Sequence, residues 1–537
     1  MTGNNIYDFI VVGAGSAGCV LANRLSENGK YSVLLLEAGP NDNYPWIHIP
    51  IGYGKTMFNP GYNWMFNTEP EPGLNQREIY WPRGRCLGGS GSINGLIYVR
   101  GQAEDYDHWQ TQGNTGWGWK SVLPYFIKSE HNSRGASEYH GADGPLWCSD
   151  IGEKHELMEG IIRAGEELGV PRNDDFNGPK QEGVGYYQLF TRRGWRCSTS
   201  VAYLRPVKRR RNLRIETNAH ATGLISNGTH ISGVRYLKDG INREAHAARE
   251  VILSAGAIQS PQLLQLSGIG RASFLQSQDI PVIKDLPGVG ENLQDHLQLR
   301  LMYKVRKPIT TNDELRTVTG KLRMGLKYIF GRRGPLAIGI NQGGLFTRVL
   351  PESTTPDIQF HFATLSADAA GGAPHPWSGC TFSVCQLRPE SRGTVNIKST
   401  DPMQPPAIQA NYLTTETDKQ CAVAGIKFAR KLAAAPALQF LLSEEYRPGA
   451  TVNTDADLLE FARQYGATIF HPVGTCKMGS DSMSVVDNRL RVHGVTGLRV
   501  VDCSIMPTLT SGNTHAPVVM IAEKASDMIL EDTLLAA

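Results

Sequence analysis

The hydrophobic pattern near the start of the chain predicts a buried strand that leads directly into a helix. Residues 6–12 form a short, nearly continuous apolar run, which is typical of a strand inside a parallel sheet. A glycine-rich turn follows, and apolar residues between Val20 and Leu25 then recur at helical spacing. A second apolar run at 31–36 predicts the next strand and ends at Glu37. This order of strand, glycine turn, helix and strand indicates a doubly wound α/β domain.

The pattern changes between Leu297 and Phe461, where alternating apolar and polar residues predict antiparallel strands backed by helices. The clearest alternations cover 357–362, 381–387 and 394–397, and a helical pattern covers 421–434. A short apolar run at 498–502 predicts a last strand that returns to the first sheet. We therefore expect a second lobe with an antiparallel sheet, inserted before the chain completes its first domain.

Length and charge narrow the classes of function. The 537 residues carry 54 Lys and Arg against 51 Asp and Glu, a formal net charge of +3. So small a surplus lies far below the basic excess that drives binding to phosphate backbones, and we expect no nucleic-acid partner. No stretch reaches the roughly 18 apolar residues of a membrane-spanning helix, and no charged leader precedes residues 6–12. We expect a cytoplasmic protein with its nine cysteines reduced, and leave open a peripheral contact with the inner membrane.

The first glycine turn has the spacing of a dinucleotide-binding motif. Gly13 permits the tight turn, Gly15 lets the backbone approach a pyrophosphate, and Gly18 lets the helix pack closely on the strand. Glu37 ends the second strand, where a carboxylate accepts hydrogen bonds from a ribose. The motif recognises only an ADP half, so by itself it does not distinguish FAD from NAD.

A second glycine cluster at residues 83–94, RGRCLGGSGSIN, leaves room for a flat or charged ligand against the backbone. On its residues alone, this cluster is equally consistent with a flexible surface loop. It resembles the first signature of the glucose-methanol-choline (GMC) oxidoreductases, and residues 256–270 and 286–296 resemble the second signature and a further family motif. The resemblance extends from Asp8 to Met528 and is nearest to the choline dehydrogenases and the long-chain or sugar alcohol dehydrogenases.

The resemblance implies a fold and a cofactor. It implies a Rossmann-like FAD-binding domain of the GMC type and a substrate domain with an antiparallel sheet backed by helices. The expected boundaries are 1–300 and 484–537 for the FAD-binding domain, with inserted segments at about 41–80 and 105–195, and 301–483 for the substrate domain. Some members attach FAD through a His just before the Asn of the first signature, where this chain has Ile93. We therefore expect FAD to be bound noncovalently.

The motifs and the resemblance together predict the residues that bind FAD. They are Gly13, Gly15, Ser16, Ala17, Gly18, Glu37, Ala38, Trp64, Arg83, Gly84, Leu87, Gly88, Gly89, Ser90, Asn94, Gly95, Ala255, Gly256, Asp502, Asn513 and His515. No metal site is expected. His515 stands where near relatives commonly have Asn, so its ring either changes the hydrogen bonding to the flavin or adds a titratable group.

Residues 470–479 place a histidine in a bent segment beside proline and glycine. Such a histidine is by itself more often structural, but the resemblance implies that His471 is the catalytic histidine and Asn513 its partner. An imidazole titrates near ~6.5, so neutral His471 is suited to take the proton of an alcohol while Asn513 holds the same oxygen over the flavin. This predicts oxidation of a primary alcohol to an aldehyde, with electrons passed to a quinone, a cytochrome or a dye.

Two positions bear on the substrate. Choline-handling relatives have a Glu where this chain has Gln342, and Phe470 beside the histidine lacks a hydroxyl. A quaternary ammonium calls for an aromatic cage and usually a carboxylate, so we favour an uncharged aliphatic, polyether or sugar-like alcohol. A choline or sorbose-like sugar dehydrogenase and an alcohol oxidase are the alternatives, and a flavin-containing lyase is the alternative from another class. Residues 366–379 are predicted to be a mobile loop at the entrance or, equally, a disordered surface loop.

Overall fold

The computed structural model describes residues 5–369 and 371–535 and contains two seven-stranded sheets, which confirms the predicted α/β class. The order across the first sheet is Leu213–Glu216, Val33–Leu36, Ile6–Val12, Ile241–Leu253, His230–Lys238 and Ala219–Asn227, and Leu498–Val500 also pairs with Ile241–Leu253. The order across the second sheet is Leu442–Arg447, Leu297–Val305, Gly379–Gln386, Ile358–Ala363, Asn341–Thr347 and Gly183–Tyr186, and Ala467–Thr468 also pairs with Leu297–Val305.

The first sheet is built around the predicted amino-terminal strand. Ile6–Val12 pairs in parallel with Val33–Leu36 on one side and with Ile241–Leu253 on the other. The second strand begins two residues later than predicted, because the Ser32 N–H donates to the Asp8 carboxylate at 2.8 Å instead of joining the ladder. Leu498–Val500 pairs in parallel with the end of Ile241–Leu253, so the predicted return of the chain to this sheet is confirmed.

The second sheet is antiparallel throughout, as predicted. Its strands at Ile358–Ala363 and Gly379–Gln386 lie within two residues of the predicted ranges. Residues 394–396 instead form a separate pair with Ala407–Gln409. Gly183–Tyr186, at one edge of the sheet, comes from the segment expected to be an insertion in the first domain. The domain boundaries stay a prediction.

Thirteen α-helices in the described residues cover the sheets. In chain order α1 to α13 are Ser16–Leu25, Pro45–His48, Tyr53–Thr56, Ala103–Thr111, Trp119–Ser129, Glu156–Glu167, Gly256–Leu266, Ala272–Ser277, Thr311–Arg316, Val318–Gly331, Glu416–Ala433, Asp455–Tyr465 and His515–Leu535. Helix α11 begins five residues before its predicted start, because the Thr415 hydroxyl caps it by accepting from the Asp418 N–H.

The short two-stranded pairs are Phe66–Asn67 with Tyr80–Trp81, Ile97–Tyr98 with Gln188–Leu189, Glu130–Asn132 with Leu146–Cys148, Thr191–Arg192 with Trp195–Arg196, and Ile269–Gly270 with Lys284–Asp285.

Two large apolar clusters form the interior. One packs α1 and α13 against the first sheet, and the other packs α6, α11 and α12 against the second. All nine cysteines lie in the described part of the chain and are free thiols, eight of them buried. Of the helices between residues 5 and 535, apart from residue 370, none combines the length and the apolar content needed to cross a bilayer.

Candidate active site

A cavity of about 470 Å³ lies where the carboxyl ends of the parallel strands meet one face of the second sheet. Val12, Leu36 and Ser254, at the ends of three parallel strands, line one part of it. His361 and Ser383, from the second sheet, line another. Ligands of open α/β sheets bind at this edge of the parallel strands, so the position is that of a cofactor and substrate site.

Most of the predicted site residues line this cavity. Those that do are Gly13, Gly15, Ser16, Ala17, Glu37, Ala38, Trp64, Arg83, Gly84, Gly89, Ser90, Asn94, Gly95, Ala255, Gly256, Phe470, His471, Asp502, Asn513 and His515. Four do not: Gly18, Leu87, Gly88 and Gln342. A Cβ on Gly18 would collide with the Gly13 carbonyl, so this glycine permits the strand and helix to pack together, as its position in the motif suggested.

Leu87 and Gly88 support the site from behind. Leu87 is buried in the apolar cluster of the first sheet. The Gly88 N–H donates to the Ala14 carbonyl at 2.7 Å and so joins the two glycine motifs. A Cβ on Gly89 would lie 2.7 Å from the Gly15 Cα, which means that the two motifs pack backbone against backbone.

The walls of the cavity fit FAD. Helix α1 begins after Gly15, which has no side chain to cap it. The N–H groups of its first turn therefore remain available at the cavity to donate to a pyrophosphate. A Cβ on Gly95 or Gly256 would meet no atom within 4 Å, so bare backbone borders open space at both positions. Glu37 accepts from the N–H groups of Ala14 at 3.0 Å and Gly39 at 2.8 Å, and burial raises its pKa to about 7.

The backbone of His471 is held by a buried carboxylate. Asp295 accepts from the His471 N–H at 2.7 Å, from the Thr468 hydroxyl at 2.5 Å and from the Tyr412 hydroxyl at 2.5 Å. Burial raises the pKa of Asp295 to about 6, and the three hydrogen bonds oppose that rise. One side chain thus anchors the turn that carries the histidine.

The residue before His471 has an unusual backbone conformation. Phe470 has a φ of +73°, in the left-handed region that bulky residues rarely occupy. The Arg83 guanidinium donates to the Phe470 carbonyl at 2.8 Å, and the Phe470 N–H donates to the Thr468 hydroxyl at 2.7 Å. These contacts hold the turn and direct the imidazole of His471 into the cavity.

A second histidine determines which ring nitrogen of His471 carries the proton. His296 Nε2 lies 2.9 Å from the Leu387 carbonyl, which can only accept, so this nitrogen is the donor. In the neutral ring His296 Nδ1 is then an acceptor, and it lies 3.0 Å from His471 Nδ1. His471 therefore carries its proton on Nδ1, and its Nε2 is unprotonated.

A separate hydrogen-bond chain reaches the other ring nitrogen of His471, Nε2. The Tyr187 hydroxyl donates to the Phe360 carbonyl at 2.7 Å and accepts from Gln359 Nε2 at 2.9 Å. Gln359 Nε2 also donates to Asn513 Oδ1 at 3.2 Å, which leaves Asn513 Nδ2 facing His471 Nε2 at 3.1 Å. Because an amide NH₂ donates, His471 Nε2 must accept. Both chains end on a backbone carbonyl and assign the same proton position to His471.

The ring of His471 is neutral at neutral pH. Burial lowers its pKa well below 6.5, and the neighbouring His296, His361 and Arg83 lower it further. His361 is also buried, its pKa is lowered to about 3, and both of its ring nitrogens lack a hydrogen-bond partner within the described part of the chain. His361 lines the cavity beside the His471 and Asn513 pair.

Several of these residues were not singled out from sequence. Asp295 and His296 lie in the motif at 286–296 but had no role assigned, although two adjacent ionisable residues in a segment that leads into a strand were a usable signal. Gln359 and His361 are polar residues at alternate positions of an otherwise apolar strand, which places them on the same face of the sheet. That alternation was the available signal for a polar cluster facing the cavity.

Of the two positions expected to affect the substrate, Phe470 lines the cavity and Gln342 does not. Gln342 is buried outside the cavity wall, and its Nε2 donates to the Thr364 hydroxyl at 2.9 Å. Its neighbour Asn341 lines the cavity, as does Phe470. Arg300 also lines the cavity and forms no ion pair within residues 5–369 and 371–535. Burial lowers the pKa of Arg300 to about 10, so it remains a cation at neutral pH.

His515 and the loop at 366–379 also border the cavity. His515 Nδ1 lies 2.9 Å from the Ser16 hydroxyl, so the ring connects the amino ends of α1 and α13. Burial lowers its pKa to about 3, so it stays neutral at neutral pH. Five residues of the loop line the cavity, namely Ala367, Ala369, Gly371, Gly372 and Pro374, while residue 370 lies outside the described residues.

Comparisons with known proteins agree with this geometry. Two family models described as GMC oxidoreductase match residues 7–298 and 389–522. An alcohol dehydrogenase [acceptor] of Pseudomonas putida is 43% identical over 535 residues, which cover 99% of this chain and 97% of the relative. The mitochondrial choline dehydrogenase of Mus musculus is 43% identical, covering 98% of this chain and 90% of its own. A variant of the Aspergillus oryzae formate oxidase, solved to examine modification of its FAD, is 28% identical with a TM-score of 0.93 over 99% of both chains.

Proposed function

The chain belongs to the GMC oxidoreductase family of FAD-dependent enzymes that act on alcohols, and on that basis we propose that it oxidises a primary alcohol to an aldehyde with His471 as the general base. The resemblance noted in the sequence is thereby confirmed. FAD is held noncovalently in this proposal, since Ile93, beside the cavity, has no group to which a flavin could be attached. The electrons pass to a quinone, a cytochrome or a dye-like acceptor rather than to oxygen.

The observation that carries the proposal is that His471 Nε2 is unprotonated. This nitrogen accepts from the Asn513 amide at the cavity, and two independent hydrogen-bond chains require it to be an acceptor. A base for an alcohol proton must be neutral and unprotonated at the nitrogen that receives the proton. The arrangement satisfies both conditions before any substrate enters.

Three side chains have different roles in the proposed proton transfer. The substrate oxygen enters between His471 Nε2 and Asn513 Nδ2 and replaces the 3.1 Å hydrogen bond between them. Its hydroxyl donates to His471 Nε2 and Asn513 Nδ2 donates to the oxygen, so the developing alkoxide is held by a fixed donor. As Nε2 takes the proton, the Nδ1–H of His471 stays bonded to His296, which keeps the ring in place. When bound, FAD supplies the hydride acceptor for the carbon.

The proposed substrate is an uncharged primary alcohol. Arg300 puts an unpaired positive charge on the cavity wall, and a like charge disfavours a quaternary ammonium there. Gln342, neutral and turned toward Thr364, provides no carboxylate to offset it. Choline stays the second candidate, because relatives named choline dehydrogenase are about as similar to the chain as the relative named alcohol dehydrogenase.

An anaerobic panel of alcohols tests cofactor, reaction and substrate together. We expect uncharged primary alcohols to bleach the flavin absorbance near its oxidised maximum, and choline to do so much less. Hydrogen peroxide is then measured in air, because peroxide formed at the rate of alcohol consumption would identify an oxidase. No bleaching by any alcohol, together with cleavage of a carbon–carbon bond, would identify a lyase instead.

His471→Ala isolates the base. We expect it to retain FAD and to lower turnover about 100-fold to 10,000-fold, which is the usual contribution of a positioned base. His108→Ala, at an exposed histidine of α4, is the matched control and should turn over at the wild-type rate. Wild-type turnover in flavin-loaded His471→Ala would show that His471 is not the general base.

A further inference from the structure

Helix α10 has two apolar faces, and the protein covers only one of them. Gly320, Met324 and Tyr328 are buried against the rest of the chain. Five apolar side chains on the other side are between 45% and 84% exposed. These five, here called the α10 face, are Val318, Leu322, Leu326, Ile329 and Phe330. At 3.6 residues per turn they fall within an arc of about 120°, so they form a continuous apolar stripe. A stripe of this kind marks an interaction surface, whereas isolated exposed apolar residues do not.

The charge around the α10 face is unbalanced. Residues 318–334 contain five Lys and Arg and no Asp or Glu. Lys321 and Arg323 lie just beyond the two edges of the apolar arc. Arg323 pairs with Glu314 at 2.9 Å, and Lys327 pairs with Glu153 at 3.1 Å. The basic residues of the segment that form no ion pair within the described part of the chain are Lys321, Arg332 and Arg333.

An exposed tryptophan lies at the edge of the same surface. Trp195 is partly exposed, its ring centroid is 5.6 Å from that of Tyr328, and the Arg332 guanidinium lies 4.5 Å from its ring centroid. Tryptophan favours the boundary between lipid and water. An apolar stripe with Leu, Ile and Phe at its centre and Lys, Arg and Trp at its edges is typical of a helix that lies in a bilayer surface.

We propose that the α10 face docks on the surface of an anionic phospholipid bilayer, with α10 parallel to the membrane plane. The apolar stripe enters the boundary between headgroups and acyl chains, and the surrounding cations meet the anionic headgroups. A second copy of the chain would bring the same surplus of positive charge to the interface and be repelled by it. The charge pattern therefore selects lipid over self-association.

Docking of the α10 face would bring the cavity close to the membrane. Leu315 of α9, three residues before α10, lines the cavity, and so does Ile340, which follows the turn at Pro335–Ala337. Helix α10 thus extends from the cavity wall at both ends. Delivery of a lipid-soluble acceptor or alcohol from the bilayer rests on the proposed function, whereas docking itself does not.

Vesicle binding by the FAD-loaded enzyme tests the proposal without measuring catalysis. Co-sedimentation is compared on vesicles of phosphatidylcholine alone and of phosphatidylcholine with about one-third phosphatidylglycerol, at low and high salt. The probing variant is Phe330→Glu and the matched control is Phe440→Glu, since the two phenylalanines are 84% and 82% exposed and Phe440 lies outside α10, after the short turn at Pro436–Leu438. A second variant, Lys321→Glu with Arg333→Glu, changes the charge and leaves the apolar stripe intact.

We expect the wild type and Phe440→Glu to bind the anionic vesicles, with binding weakened by salt and absent on phosphatidylcholine alone. Phe330→Glu should bind at least about tenfold more weakly, because a phenylalanine would no longer be buried in lipid. The double charge variant should lose about fivefold or more per cation. Flavin content and dye-linked turnover in buffer should match the wild type in all variants, which shows that they fold.

Three results would overturn the proposal. Wild-type enzyme that stays in the supernatant with anionic vesicles excludes a lipid surface. Equal loss of binding in Phe330→Glu and Phe440→Glu excludes the α10 face as the site. A wild-type dimer in solution that Phe330→Glu converts to a monomer, with no vesicle binding, assigns the face to contact between copies. None of these results depends on which alcohol is oxidised, so failure here is distinguishable from failure of the proposed function.

Discussion

Replacement of His296 tests the proton arrangement on which the proposed mechanism depends. His296 Nδ1 accepts from His471 Nδ1 at 3.0 Å, and this contact keeps the electron pair of His471 on Nε2. His296→Gln removes the acceptor while keeping a long amide that can still donate toward the Leu387 carbonyl. The buried Nδ1–H of His471 then has no partner, and the tautomer with its proton on Nε2, which cannot take a proton from the alcohol, becomes competitive.

The size of the effect follows from the cost of that unpaired donor. A buried donor without a partner costs about 1 to 3 kcal/mol, so the competent tautomer should be disfavoured by about 5-fold to 150-fold. We expect kcat/KM for the alcohol to fall by that factor in His296→Gln. Flavin content should be unchanged, because His296 contacts His471 and a backbone carbonyl and does not itself line the cavity.

His296→Asn is the matched variant. Its Oδ1 occupies nearly the position of the lost Nδ1 and can accept from His471, although its shorter amide no longer reaches Leu387. We expect His296→Asn to stay within about fivefold of wild type. The assay is the rate of flavin bleaching under anaerobic single-turnover conditions, with flavin content measured in parallel. Equal losses in the Asn and Gln variants, or wild-type rates in His296→Gln, would refute the reasoning.

Three further predictions follow from the site. Because burial lowers the pKa of His471 below 6.5, nearly all of the enzyme carries neutral His471 above pH 6.5 and loses it only as the pH falls. We therefore expect kcat/KM to be flat from about pH 6.5 to 8, and a rise across that range would contradict the assignment of His471 as the base. Gly95→Val adds a side chain where a Cβ meets no atom within 4 Å, so flavin content should fall at least about tenfold with little change in the unfolding temperature of the FAD-free protein. Arg300→Glu should raise the ratio of kcat/KM for choline to that for an uncharged alcohol by about tenfold or more, with Arg300→Met in between; an unchanged ratio would show that this charge does not select the substrate.

The nucleotide-binding half was predictable because its signals are local. The strand at residues 6–12, the glycine turn after it and Glu37 at the end of the next strand follow one another within about one supersecondary unit. Gly13 has a positive φ, and Gly18 must leave room for the Gly13 carbonyl five residues earlier, so both requirements are local. The alternation of the second sheet is also a property of each strand alone, so two of its seven strands could be placed within two residues.

The resemblance to the family supplied His471 and Asn513, which no local pattern would have distinguished from structural residues. Their roles as base and partner remain a proposal, although both line one cavity and lie 3.1 Å apart at their facing nitrogens. The domain boundaries likewise stay a prediction. The edge strand Gly183–Tyr186, drawn from a segment expected to be an insertion, shows why a boundary is difficult to read from the order of elements alone.

Local patterns in the sequence were sufficient to predict the dinucleotide motif and the two kinds of sheet, because these depend on residues close together along the chain, and the family resemblance added FAD. The tertiary structure was needed to assign the proton positions, since His296 and His471 are 175 residues apart and Gln359 and Asn513 are 154 apart. The tertiary structure was also needed to show that one face of α10 is exposed, because apolar residues on both faces of a helix are typical of a buried helix. Which face stays exposed depends on what the rest of the chain packs against, and a hydrophobic pattern records the side chains of one helix but not its neighbours.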